Sequence, residues 1–244
     1  GEITEGAIDN IYRNSLSLMA TYHFASTEIY QDNIVQLCRT DKHVHNVGAL
    51  NYDNLVSMNY YSIEEFNQQF EIDLNQKTIL ITFHPETVSF ERNTEYAEQL
   101  ILALEESGGY QQLITMPNAD TSGMIIREKL IDYSKNTTNR VQIVESLGWK
   151  GYLSAMKLCS FLLGNTSSGF VEASFFPKNV INLGSRQKGR ILTDNIFCCE
   201  VEKNQILNAI SKVAKKTTVE KVNLYGDGDA SSKIMAILAE ITKK

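Results

Sequence analysis

Gly164-Asn165-Thr166-Ser167-Ser168-Gly169, followed by Phe170-Val171-Glu172, is the stretch from which the fold is read. It comes directly after an apolar run, Leu158 to Leu163, that reads as a buried parallel strand. Val171 to Phe176 then reads as the first turns of a helix. A strand that ends in small and hydroxyl residues and opens a helix builds an anion site. Backbone N–H groups at the helix start point at the ligand, and the helix dipole favours negative charge. Gly164 and Gly169 let the backbone come close, and Thr166, Ser167 and Ser168 each carry a hydroxyl. Glu172, on the first helical turn, is suited to accept from a sugar diol, and a phosphate with a diol makes a nucleotide. The same residues also fit an ordinary N-cap with Glu172 in a capping box.

Val180 to Leu183 is a further short strand, and Gly184-Ser185-Arg186-Gln187-Lys188-Gly189-Arg190 follows it. Three cations and two glycines at the C-terminal end of a strand suit an anionic ligand, because open α/β sheets bind ligands there. A solvated basic loop has the same composition. Upstream, Lys77 to Phe83 (KTILITF) is a fully buried strand by its β-branched run. His84 lies at its mouth, and Pro85 holds His84 extended. An imidazole there can contact a phosphate or move a proton near neutral pH. Pro117-Asn118-Ala119-Asp120 ends the next strand at the same edge, as a cleft contact or a helix cap.

From Lys77 onward strands and helices alternate. Strands are expected near 77–83, 112–116, 140–144, 158–163, 179–183 and 196–200. Helices are expected near 93–107, 122–134, 152–157, 202–215 and 229–242. This is the pattern of an α/β protein with a Rossmann-like, doubly wound parallel sheet. Before it, 7–20 has helical apolar spacing, Tyr22–Ala25 is a short strand, and Ser26-Thr27-Glu28 caps a helix to about Cys38. His45–Gly48 is a strand or linker, Asp53–Met58 is helical, and Ser62 with Glu65 forms a capping box. The break near Val47-Gly48 divides the chain into 1–46, 47–226 and a terminal helix in 227–244, with Tyr225–Ala230 as a turn that releases that helix from the preceding body.

The 244 residues carry a net charge of −6, which argues against a nucleic-acid or membrane-surface partner. Cys38, Cys159, Cys198 and Cys199 have no paired spacing and read as reduced, mostly buried thiols of a cytoplasmic protein. His23, His43 and His45 have no metal spacing. Asp9 and Arg13 read as an i,i+4 ion pair.

Taken in order, these motifs resemble the hydrolysing UDP-N-acetylglucosamine 2-epimerase family of sialic and legionaminic acid synthesis. The resemblance runs from Gly1-Glu2-Ile3-Thr4-Glu5-Gly6-Ala7-Ile8-Asp9 through Phe83-His84-Pro85-Glu86, Pro117–Asp120, Gly164–Gly169 with Glu172, and Asn182–Arg190, to Tyr225-Gly226-Asp227-Gly228. It implies the C-terminal Rossmann-like domain of a two-domain fold similar to the GT-B glycosyltransferases. Residues 1–46 would be a remnant of the N-terminal Rossmann-like domain, and 227–244 a helix crossing back toward it. It implies a UDP-sugar substrate, no metal or redox cofactor, and a homo-oligomer, dimer or tetramer, in full-length form. Asp9 then matches a catalytic acid/base carboxylate and His84 a residue near the diphosphate. Thr166, Ser167 and Ser168 match the phosphate-binding hydroxyls, Glu172 the ribose contact, Asn118, Arg186 and Arg190 further ligand contacts, and Ser146 a uracil neighbour. Relatives carry a longer N-terminal part with further catalytic groups, so this chain alone is expected to be inactive. A GT-B glycosyltransferase, a non-hydrolysing epimerase and a UDP-binding fragment without activity are the alternatives.

Overall fold

A computed structural model describes all residues except 6–8, 87–89, 118–120, 217–218, 221 and 243–244. The first unit is α1 (Asp9–Met19), β1 (His23–Ala25), α2 (Glu28–Cys38) and β2 (Val44–Asn46). Thr27 starts α2 by accepting the Tyr30 N–H at 3.1 Å, satisfying a donor the first turn leaves open. β1 and β2 pair in parallel, with His23 opposite Val44. The apolar side chains of α1, Ile11, Leu16 and Met19, are exposed.

The second unit runs α3 (Leu50–Ser57), α4 (Ile63–Phe70), β3 (Thr78–Thr82), α5 (Asn93–Glu106), β4 (Gln111–Thr115), α6 (Thr121–Asn136), β5 (Val141–Val144), α7 (Gly148–Leu158), β6 (Phe161–Gly164), α8 (Glu172–Phe175), β7 (Val180–Leu183), β8 (Ile196–Cys199) and α9 (Lys203–Lys215). The final helix is α10 (Ala230–Ile241). Among the described residues, β3 to β8 form a parallel six-stranded sheet in the order β5-β4-β3-β6-β7-β8. The order reverses between β3 and β6, and that switch point opens a crevice beyond the strand ends.

Strand alternation builds the two cores. Ile79 and Ile81 of β3 face Leu100, Ile126 and Ile206 on α5, α6 and α9. Leu80, between them, faces Phe66, Leu153 and Met156 on α4 and α7. Each such side chain contributes about 1.5–3 kcal/mol when fully buried. With both faces covered, β3 is buried along its whole length, as parallel strands are. The capping box expected at Ser62 is present: Ser62 Oγ accepts from Glu65 N at 3.1 Å, and Glu65 Oε2 accepts from Ser62 N at 2.8 Å.

Four sequence expectations are corrected. The apolar run from Leu158 is not all strand: α7 runs to Leu158, Cys159 N–H donates to the Ala155 carbonyl at 2.7 Å, and β6 starts at Phe161. A continuous apolar run does not separate a buried helix end from a buried strand. The helix after the glycine–serine loop is a single turn, Glu172–Phe175, after a 3-10 turn at Ser167–Gly169. Pro177 lacks the N–H that a longer helix needs. Of the cysteines, all free, Cys159 is buried but Cys198 is exposed and the other two are partly so. Finally, the 225–230 turn does not release α10. Tyr225 is 1% exposed with its ring 6.0 Å from Tyr52. Asp53 of α3 accepts the N–H groups of Ala230 at 2.9 Å and Ser231 at 2.7 Å. From there α10 reaches the first unit, where Ile237 and Ile241 line a cleft with Tyr22, His43 and His45.

Asp53 therefore caps a helix whose own N-cap residue, Asp229, makes no side-chain cap bond. Partial desolvation acts to raise its carboxyl pKa, but the bonds from Ser231 and Ala230 outweigh it and hold the pKa below the usual range. The accepting form is the ionised one, so the cap is intact above the ordinary carboxylate range and is lost as pH falls through the lowered pKa. Replacing Asp53 by Ala should loosen α10 by about 1 kcal/mol. Hydrogen exchange should then show faster exchange of the α10 amides at neutral pH and an unchanged β3.

Candidate functional site

The site is built where the loops after β3, β6 and β7 meet, and Asn165 joins them. Its backbone N–H donates to the Thr82 carbonyl at 3.2 Å. Its side-chain Oδ1 accepts the His84 N–H at 2.7 Å, and its Nδ2 donates to the His84 carbonyl at 2.8 Å. Its own carbonyl accepts from Gln187 Nε2 at 2.8 Å and Arg186 Nη1 at 3.3 Å. The residue is 1% exposed. Gly164 makes the approach possible: at φ 146°, a Cβ there would lie 1.9 Å from the Thr82 carbonyl oxygen.

A second buried group fastens the β7 loop. Glu86, 1% exposed, accepts the Ser185 N–H at 2.8 Å and the Ser185 hydroxyl at 3.0 Å. Asn93 at the start of α5 brackets it in turn, accepting the Glu86 N–H at 2.8 Å and donating to its carbonyl at 3.1 Å. Gly184, with φ 69°, leaves the space this carboxylate needs, since a Cβ would come within 2.5 Å of Oε1.

Thr166 accepts the Ser168 N–H at 3.4 Å, and the Ser168 hydroxyl lies 3.1 Å from that of Thr166 and 2.7 Å from the Tyr152 phenol. Ser167 is exposed at the tip. Glu172 lies one turn on and accepts from Asn51 Nδ2 of α3 at 3.0 Å. Burial pushes its carboxyl pKa up, against its own backbone N–H, the Asn51 bond and the field of Arg190. Burial likewise lowers the Arg186 pKa, and the negative charge of Asp9 opposes that shift.

The remaining expected site residues are spread. Asp9 opens α1 and faces solvent, paired with Arg13 at 3.6 Å. Arg190 is nearly enclosed; Nη2 pairs with Glu2 at 2.5 Å and its guanidinium lies 5.9 Å from the Phe170 ring. Ser146 is exposed beyond β5, on the far side of β4 from β3, and accepts the Gly148 N–H at 3.0 Å. Asn118, with Ala119 and Asp120, lies outside the described residues. No group of three or more His, Cys, Asp and Glu side chains is placed to hold a metal among the described residues.

Sequence reading missed Asn165, Glu86, Tyr152 and Asn51. The first two stand inside motifs quoted for other residues. Tyr152 and Asn51 carry no local signal, because their partners lie 16 and 121 residues away. The arrangement can bind an anion at Thr166 to Ser168 and Arg186, and a diol at Glu172. With α8 only one turn long, hydroxyls and the guanidinium carry this more than a helix dipole does.

A sequence model of the UDP-N-acetylglucosamine 2-epimerase family matches residues 1–239. The chain is 35% identical over 216 residues to the GDP/UDP-N,N'-diacetylbacillosamine 2-epimerase (hydrolyzing) of Campylobacter jejuni, covering 88% of this chain and 56% of that protein. It is 28% identical over 236 residues to the UDP-N,N'-diacetylbacillosamine 2-epimerase (hydrolyzing) of Legionella pneumophila, covering 97% and 62%. The crystal structure of UDP-GlcNAc 2-epimerase from Neisseria meningitidis bound to UDP-GlcNAc matches with a TM-score of 0.80 at 18% identity, over 96% of this chain and 66% of that one. The chain thus spans little more than half the length of the curated relatives it matches. Its fold is α/β, with a Rossmann-like parallel sheet of the GT-B type. No described helix is long and apolar enough to cross a membrane.

Replacing Asn165 by Ala removes both side-chain bonds to the His84 backbone. The expected loss is about 1–3 kcal/mol in urea unfolding, the scale of two net hydrogen bonds.

Proposed function

The chain belongs to the UDP-N-acetylglucosamine 2-epimerase family, and on that premise we propose that it binds a UDP-2-acetamido sugar at the β3/β6 switch point and serves a hydrolysing 2-epimerase. The observation that carries this reading is the convergence of His84, Thr166 to Ser168 and Arg186 on loops joined by Asn165. The similarity to two hydrolysing epimerases favours release of UDP over return of a UDP sugar. The sugar is a UDP-GlcNAc or UDP-diacetamido type.

In the proposed reaction a base takes the C2 proton and the C1–O bond to UDP breaks, leaving a glycal and UDP. Water then adds its oxygen to C1, and C2 takes a proton on the opposite face, giving the free manno-configured sugar. The C2 proton is weakly acidic, so elimination needs a placed base and a stabilised leaving group. Asp9 is the carboxylate proposed for proton transfer. His84, Arg186 and the Thr166 and Ser167 hydroxyls take the diphosphate, with Ser168 beside them in the same substrate-binding turn, and Glu172 the ribose. Asn118 and Arg190 are further ligand contacts. Residues 144–146, with Ser146, border the uracil. No metal is required, because hydrogen bonds and protonation stabilise departing UDP.

Turnover in D2O by an enzyme that carries this chain together with the N-terminal part its relatives have tests the reaction, and the chain assayed alone is expected to release no UDP. UDP and a free 2-epimeric sugar carrying deuterium at C2 are expected. A UDP sugar epimerised with its diphosphate intact would assign a non-hydrolysing epimerase, and consumption only with an added acceptor would assign a glycosyltransferase.

Binding tests the site separately. Glu172→Ala should weaken both UDP and uridine by about 1–3 kcal/mol in calorimetry. The accepting form of Glu172 is ionised and its pKa is raised. Uridine affinity should therefore fall as pH drops toward that raised pKa, and Glu172→Gln should lose this dependence. Equal affinities in wild type and Glu172→Ala would remove the ribose role.

A further inference from the structure

We propose that the phenol of Tyr152 is the end donor of a hydroxyl relay that turns the Thr166 O–H outward onto the diphosphate, an assignment that rests on the nucleotide-sugar reading above. Five hydroxyls form a continuous line along the C-terminal edge of the sheet. Thr115 and Thr82 are 2.6 Å apart, Thr82 and Tyr152 3.4 Å, Tyr152 and Ser168 2.7 Å, and Ser168 and Thr166 3.1 Å. Two of them end adjacent strands, one sits on α7, and two form the turn after β6.

Proton counting orders the line, because each hydroxyl has a single proton to give. Thr115 can give its proton to the Ile81 carbonyl at 3.3 Å. When Thr115 donates there, Thr82 is the donor in their 2.6 Å pair; when Thr115 donates to Thr82 instead, Thr82 is free to donate to Tyr152, which also gives the outward order. In the first case Tyr152 is left with two acceptors, Thr82 at 3.4 Å and Ser168 at 2.7 Å. In the inward order Tyr152 donates to Thr82, Ser168 to Tyr152 and Thr166 to Ser168, and the Thr166 proton is spent inside the line. In the outward order Tyr152 donates to Ser168 and Ser168 to Thr166, which frees the Thr166 proton for a ligand. The two orders differ in protein contacts chiefly by the 3.4 Å contact, which lies beyond ordinary O–H···O distances. A bound anion therefore selects the outward order at small expense.

Three features fit Tyr152 to this role. A phenol is more acidic than an aliphatic alcohol and is the stronger donor. Burial pushes its pKa up, so it stays protonated beside a negatively charged ligand. The Ser168 N–H also points at Thr166 Oγ1, at 3.4 Å, and an oxygen that accepts from two donors is itself a better donor. Tyr152 is thus a positioning residue that acts on the ligand through Ser168 and Thr166.

Calorimetry with UDP and with uridine, on wild type, Tyr152→Phe, Ser168→Ala and the double variant, tests the relay. Tyr152→Phe should weaken UDP roughly fivefold, the scale of one hydrogen bond, and leave uridine unchanged. The double variant should bind UDP no worse than the weaker single one, because both changes cut the same line. An unchanged UDP-to-uridine ratio in Tyr152→Phe, or losses that add in the double variant, would overturn the relay while leaving the diphosphate site standing. A wild type with no preference for UDP over uridine would remove the diphosphate site and the relay together. If Tyr152→Phe does not fold, Ser168→Ala at its half-exposed position keeps the relay falsifiable: an unchanged UDP-to-uridine ratio overturns it.

Discussion

The paired hydrogen bonds between the Asn165 amide and the His84 backbone are the constraint on which the rest of this site depends. Parallel strands β3 and β6 diverge in connection at this point, one chain turning to each face of the sheet. Their loops would separate if each satisfied its backbone with water. The carboxamide has both an acceptor and donors, so it satisfies the N–H and the carbonyl of one residue together. Its backbone carbonyl then draws in Arg186 and Gln187 from a third loop. Glycine at 164 follows from the same approach, because no side chain fits against Thr82.

Charge is handled locally. A chain with a net charge of −6 presents Arg186, Lys188 and Arg190 on one loop. Two of the three also pair with carboxylates of the protein. Arg190 pairs with Glu2 and Lys188 with Glu5 at 3.0 Å, which ties the first residues of the chain to the β7 loop. Arg186 bonds a backbone carbonyl, and among the described residues no carboxylate forms an ion pair with it. Desolvated charge of this kind gains most from an incoming phosphate, since the interaction is stronger in a less polar setting. Glu172 and Glu86 differ in the same way. Glu86 has both oxygens occupied by Ser185, whereas Glu172 accepts from Asn51 and has a pKa raised by burial.

Polar contacts fix two chain segments at their ends. Asp53 completes the start of α10, and α10 returns toward β1 and β2. Arg190 and Glu2 hold the segment that leads to Asp9.

Much of the fold was legible in the sequence. The β-branched run at 78–82, the capping box at Ser62 and the alternation of strands and helices each rest on local chemistry, and local chemistry is what residue order records. Thr166, Ser167, Ser168 and Glu172 could be picked out because one strand, one loop and one turn of helix present them. The length of α8 and the start of β6 were not legible, since apolar runs look alike in a helix end and a buried strand. The clamp at Asn165, the cap that Asp53 supplies to α10 and the hydroxyl line through Tyr152 belong to tertiary structure alone. Each joins groups that are 16 to 178 residues apart in the chain, and such a bond exists only after folding has brought those distant segments together.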